Sequence, residues 1–541
     1  MIDSTATNGN ATNGEVATAR TRGTAEMGTR PGRLILGDAP LVPATLWRFA
    51  QLALDPATRV SIEYSSATIG RVREASDLLE KIVASEEPVY GVNTGFGHFA
   101  NIAIEPEKVA ALQKNIVRSH CTCVGDPLPR DLVMALCVIS LNTLCQGYSG
   151  VRFSTIRSVT QMLEAGILGW VPSQGSVGAS GDLGPGAHAM LPLLGEGYCT
   201  MPVGGRIERV PAASALNRAG LEPIELGPKE GLSLINGTHL TTALAVKAWY
   251  EGEYLLKVAN LAAAMTIEAL GGDRMTSAEP TMRAHGHPGT IECGRALRYW
   301  LGETSELSER HRDSHWIQDP YSLRCVPQVH GAVWEEIDHS ETVLAREINA
   351  ITDNPLLFPD EGVVRYCGNF HAIYPGRVSD RLASAFATLA NISERRISQA
   401  MRPPRGHLPT FLIHDGGLNS GLMMAHVTAA ALVSESKSLS FPATVDSIPT
   451  NVTQEDHVSM GPVAGFKALR ILDNLRRVLA IELLTAAQAL YLCRPFKSSA
   501  RIEEVYGRIR EFVPPMDEDR VLTDDIDMIT EKIQSREILP A

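Results

Sequence analysis

The chain has 541 residues and a formal net charge of −12, which excludes the basic surface that nucleic-acid phosphates require and a polybasic membrane-surface segment. Hydrophobic residues make up 44% and charged residues 20%, the balance of a globular protein. This length exceeds what one ordinary core supports, so several packed regions or one long helical body are expected. Aromatics are only 6%, which predicts aliphatic helix packing.

Residues 1–33 are rich in Thr, Ala, Asn and Gly and contain no aromatic residue, the composition of a disordered tail. The segment has no apolar core of the kind a signal peptide needs. From residue 34 to 225 the pattern predicts a helical region interrupted twice. The first interruption, PVYGVNTGFGHFA (residues 88–100), holds three glycines and three aromatics and reads as a mobile lid loop. The second, residues 175–190 within VPSQGSVGASGDLGPGAHAM, is dense in small residues. Residues 201–225 read as a turn-rich excursion with short strands.

Helical periodicity returns over 238–270, 333–350, 375–402, 419–439 and 463–492, and the last reads as a central core helix. Residues 226–500 are therefore expected to form a central long-helix bundle, followed by a helical segment over 501–541. The fold class is mainly α, a long antiparallel helical bundle. No apolar run of about 18–20 residues is present to span a bilayer. The nine cysteines are scattered. Their spacing predicts free thiols in a reducing cytoplasm and no metal site.

Chemistry concentrates at Ala179-Ser180-Gly181. If the backbone bends tightly here, the Gly181 nitrogen can reach the Ala179 carbonyl carbon. Ring closure with loss of water, then loss of the Ser180 hydroxyl as water, leaves a methylene on an imidazolone ring. No ordinary side chain supplies such a carbon electrophile.

GSVGASGDL followed by HAM resembles the signature of the aromatic amino acid ammonia-lyase and 2,3-aminomutase family. The resemblance also covers YGVNTGFG, NIVRSH, KEGLSLINGT, QDPYSLRCVPQ, EINAITDNPL, GNFHA and VDSIPTNVTQEDHVSM, from about residue 34 to 513. It implies a 4-methylidene-imidazol-5-one (MIO) group made from Ala179, Ser180 and Gly181, without metal or nucleotide. It also implies a helical homotetramer whose active sites are shared between subunits. Tyr90 is then the base for the β-proton. Tyr321 assists proton transfer or amine positioning, and Asn236 hydrogen-bonds the prosthetic group and the reacting amine region, where its amide could stabilise oxyanion charge. Arg324 clamps the substrate carboxylate. Gln318 and Phe370 fall beside the prosthetic group.

Within the family, Ser119-His120 and the carboxylate Glu455 resemble the histidine-specific branch. Glu455 can accept from an imidazole N–H, whereas a phenyl ring leaves it unpaired. The expected reaction is L-histidine to urocanate plus ammonia. The alternative is a 2,3-aminomutase making a β-amino acid. The mobile-loop motif of the fumarase- and aspartase-like lyases is absent. A catalytically dead scaffold is disfavoured by the intact triad, Tyr90 and Arg324. Two departures from the family pattern stand out. Gly184-Pro185-Gly186 replaces Ala-Pro-Leu, and Cys121-Thr122-Cys123 replaces Ala-Ala-Gly.

Overall fold

Apolar residues recurring every three to four positions build the long helices that organise the molecule. The computed structural model describes residues 32–85, 88–312, 317–403 and 406–540. The expected tail lies outside the described residues up to residue 31, and Arg33 already opens a strand. That strand, β1 (Arg33–Leu36), pairs in parallel with β2 (Ser61–Tyr64). Next come α1 (Val109–His120), α2 (Arg130–Leu144) and α3 (Leu183–Met190). The turn-rich excursion contains a hairpin of β3 (Tyr198–Val203) and β4 (Arg206–Pro211). The long-helix region holds α4 (Glu230–Ile235), α5 (His239–Ala269), α6 (Tyr321–Arg324), α7 (Val326–Glu347), α8 (Ile373–Met401), α9 (Met423–Leu439) and α10 (Gly461–Leu492). Two helices, α11 (Ala500–Phe512) and α12 (Thr523–Gln534), close the chain. One apolar core cluster runs from Leu34 to Ile538.

Successive long helices run in opposite directions. Thr238, at the start of α5, donates to Glu347 at the end of α7, while Asn260 meets His330 near the start of α7. Arg396 in α8 reaches back to His330. His426 and Ala443 bracket α8 in reverse order, through Glu394 and Asp380. Ser436 of α9 lies against Asn474 of α10, and Phe441 accepts from Lys467. Every second helix is therefore parallel, so α5, α8 and α10 begin at the same end. α5 is buried on nearly all sides and α10 over most of its length, as expected for the centre of a large helical protein. A buried Arg396–Glu482 ion pair, with Ser393 donating to the same carboxylate, joins α8 to α10. Among the described residues no helix is long and apolar enough to cross a membrane.

Candidate active site

The small-residue loop bends sharply at Ser180 and Gly181. Ser180 has φ +49° and Gly181 φ +79°, and for serine this left-handed conformation costs about 1–3 kcal/mol. Gly181 forms a bridge with Gly237. A Cβ at Gly181 would lie 2.2 Å from the Gly237 carbonyl oxygen, so only glycine fits. Asp182 N–H donates to that same oxygen at 2.8 Å. On its other side the loop is fastened by Met460 N–H donating to Val177 O at 2.8 Å. Val177 and Ala179 pack on Ala443, Val458, Met460 and Ala464. A strained serine followed by an obligatory glycine, with both flanks clamped, fits a backbone that condenses into an imidazolone.

Beneath the loop three helix N-termini converge. A Cβ at Gly461, which opens α10, would lie 2.7 Å from Thr241 Cγ2 in α5 and 3.2 Å from Ala372 O at the start of α8. Each N-terminus carries roughly half a positive charge, so this end of the bundle favours negative charge. Asp182 uses the field directly. It accepts from Thr241 N–H at 2.7 Å and from the Thr241 and Ser176 hydroxyls, satisfying donors that the first turn of α5 leaves free. Burial nonetheless pushes its carboxyl up to about 6.

Glu455 reaches the loop from the segment before α10. Its Oε1 accepts from Ser180 Oγ at 2.8 Å and its Oε2 from Thr450 Oγ1 at 2.6 Å. Asn451, Val452 and Thr453 beside it all have positive φ, an uncommon conformation for non-glycine residues and strained for the β-branched Val452 and Thr453. This segment touches the glycine-rich loop, where His98 N–H donates to Asn451 Oδ1 at 3.4 Å. Tyr90 is half-buried in that loop and its hydroxyl oxygen accepts from Gly97 N–H at 3.3 Å. Burial, then the nearby Glu455 charge, raise the Tyr90 pKa, and only the Gly97 bond opposes them.

At the end of α1, His120 Nδ1 meets Ile116 O at 2.8 Å. A carbonyl can only accept, so Nδ1 carries the hydrogen and Nε2 is left for a ligand. Ser119 Oγ contacts both Ile116 O and His120 Nδ1. The His120 backbone oxygen approaches the start of α3, which follows the small-residue loop. Half-buried Phe370 precedes His371, whose ring stacks on His457 at 5.4 Å, two residues beyond Glu455. Among the described residues no His, Cys, Asp and Glu cluster forms a metal site.

Asn236 directly precedes Gly237, which pairs with Gly181. Its Nδ2 donates to Asp353 Oδ1 at 3.0 Å and to Asn354 O at 3.1 Å. Both amide hydrogens thus face acceptor oxygens. Asp353 in turn pairs with Lys229 at 2.6 Å, and both side chains are fully buried. Sequence reading did not single out Lys229 or Asp353, although charged residues inside otherwise apolar, Gly- and Pro-bounded stretches are the signal that could have found them.

Gln318, Tyr321 and Arg324 are not brought to Ser180. α7 has 22 residues, so at about 1.5 Å per residue it is about 33 Å long. Its far end, Glu347, touches Thr238 beside the loop, whereas Arg324 precedes its near end. Gln318 and Tyr321 are exposed, Tyr321 by 71%. The Arg324 guanidinium stacks 4.6 Å from the Tyr321 ring, and its buried Nε has no hydrogen-bond partner among the described residues.

The two departures from the family pattern meet in space. Cys123 Sγ lies 2.9 Å from where a Cβ at Gly184 would sit. The sulfur fills the room that alanine at 184 would need. Burial pushes this thiol up to about 11, so it acts as packing rather than as a nucleophile. Gly184→Ala alone is expected to lower stability by about 1–3 kcal/mol through overpacking. Adding Cys123→Gly should restore most of the loss, as measured by denaturant titration of the single and double variants.

A profile of the aromatic amino acid lyase family matches residues 45–511. Histidine ammonia-lyase of Anaeromyxobacter sp. (strain K) is 47% identical over 486 residues, covering 89% of this chain and 94% of the relative. The crystal structure of histidine ammonia-lyase from Trypanosoma cruzi superposes with a TM-score of 0.84 at 39% identity, covering 94% of this chain and 96% of that one. Tyrosine aminomutase from Streptomyces globisporus superposes with a TM-score of 0.86 at 31% identity, covering 94% and 97%. The chain belongs to the aromatic amino acid lyase family.

Proposed function

We propose that this protein is an ammonia-lyase that converts L-histidine to urocanate and ammonia, using an MIO group formed from Ala179, Ser180 and Gly181. The carrying observation is the 2.8 Å hydrogen bond from Ser180 to Glu455. It sets a carboxylate against the reacting loop, where an imidazole N–H can be its partner and a phenyl ring cannot. The prosthetic group supplies a carbon electrophile that turns the substrate α-amine into a leaving group. Glu455 and His120 Nε2 hold the imidazole, and the Tyr90 oxygen takes the β-proton. The glycine-rich loop closes over the site and excludes water.

Arg324, Tyr321 and Gln318 enter this reading through oligomerisation. About 30 Å separates Arg324 from its own Ser180 by the length of α7, so a second copy must bring the carboxylate clamp. A homotetramer with shared sites satisfies this, and it gives the buried Arg324 Nε a partner in the substrate carboxylate.

Purified protein incubated separately with histidine, tyrosine and phenylalanine tests the assignment. Urocanate from histidine is the expected result. Conversion of tyrosine alone overturns the histidine reading. A β-amino acid as main product identifies the aminomutase, a reading favoured by the resemblance to the Streptomyces tyrosine aminomutase.

Tyr90→Phe should lower kcat by about 10²–10⁴-fold. The sign of the pH effect follows from the raised phenol. Proton removal needs the phenolate, whose fraction grows with pH, and the ordinary tyrosine value is about 10. kcat/KM should therefore keep rising through the alkaline range, and Tyr90→Phe should abolish that rise.

A further inference from the structure

Lys229 and Asp353 form a fully buried ion pair behind Asn236. The Lys229 ammonium has three donors and meets three acceptors: Asp353 Oδ2 at 2.6 Å, Ser233 Oγ at 2.8 Å and Ser149 O at 3.1 Å. Its backbone lies in the left-handed region at φ +64°, a conformation that surrounding structure must hold in place. Asp353 uses its second oxygen to accept from Asn236 Nδ2 at 3.0 Å and from Asn354 N–H at 2.7 Å. The Lys229 ammonium draws the Asp353 carboxyl below its ordinary range.

An ionised carboxylate oxygen and a peptide carbonyl accept hydrogen bonds and cannot donate them. Both Asn236 amide hydrogens point at such groups, so turning the amide over would set three oxygens against one another. Its orientation is thereby fixed. No hydrogen bond among the described residues ends on Asn236 Oδ1, and the next residue, Gly237, pairs with Gly181 in the reacting loop. A buried ion pair is costly unless every partner is satisfied. Here the full set of partners is present, and its one outward consequence is the direction of the Asn236 amide.

We propose that Lys229 and Asp353 are positioning residues that lock Asn236 as a hydrogen-bond acceptor for the α-ammonium group of the amino acid substrate. The inference rests on the lyase reading above and adds to it the two charged residues that fix which end of the Asn236 amide faces the amine. An amide oxygen attracts an N–H donor and repels a carboxylate, so the device sorts the two ends of the substrate. Arg324 takes the carboxylate and Asn236 takes the ammonium.

The test measures binding by calorimetry on a Ser180→Ala background, which binds without turnover. Lys229→Met with Asp353→Asn removes both charges together and leaves no orphaned ion. L-histidine is compared with its des-amino analogue, 3-(imidazol-4-yl)propanoate. The expected result is binding of L-histidine weakened by about tenfold or more, with the analogue changed by less than about twofold. Should that variant not fold, Ser233→Ala removes one neutral acceptor of Lys229 and should give a smaller loss of the same amine-selective kind. Equal loss for both ligands, or no loss for either, overturns the positioning role. If the Ser180→Ala parent binds neither ligand, the lyase reading falls and takes this inference with it.

Discussion

Ser180→Ala is expected to lower kcat/KM for histidine on the order of 10³-fold or more, because groups that act as one catalytic unit fail together when one is removed. Alanine has no hydroxyl to lose, so position 180 can furnish no methylene. The fold should survive. Among the described residues the Ser180 hydroxyl bonds only to Glu455, while the loop is held by Gly181 against Gly237, Asp182 against α5 and Val177 against Met460. Unchanged far-ultraviolet dichroism and elution volume, together with a lost near-ultraviolet absorbance difference, would separate a chemical loss from a folding one. Retained turnover would remove the electrophile from the account.

Arg324→Ala should cost roughly a hundredfold or more in kcat/KM, the scale of a lost charge-assisted bidentate clamp. Its sharper consequence concerns assembly. Arg324 lies near the start of α7 and Ser180 near its end in one chain, so the proposed site takes them from different copies. Co-refolding the two inactive variants, Ser180→Ala and Arg324→Ala, should therefore recover a measurable fraction of wild-type activity. Some mixed sites then carry an intact serine from one chain and an intact arginine from another. Activity no higher than the sum of the two variants alone would place both groups in one chain and contradict the shared site.

The helices were legible because burial imposes a period. α8 and α10 carry an apolar face at helical spacing, and their expected limits, 375–402 and 463–492, fall within about two residues of those found. The two glycine-rich interruptions were legible because glycine adopts positive φ without the steric cost other residues meet. The proposed MIO triad was legible as chemistry, since its three residue types are what cyclisation needs. Other features depended on contacts between distant positions. The exchange of bulk between Cys123 and Gly184 joins residues that the sequence presents as two unrelated departures. The orientation of the Asn236 amide depends on Asp353, more than a hundred positions away. The gathering of three N-termini beneath Ser180 follows from the alternating direction of the long helices, which periodicity alone does not specify.

The proposed chemistry begins with a covalent event that needs no substrate, so the intact mass of the purified protein tests it most directly. The predicted mass is that of the sequence less two water molecules, with the deficit confined to the peptide holding Ala179-Ser180-Gly181 and absent from Ser180→Ala. The full sequence mass in a preparation that still converts histidine would contradict it.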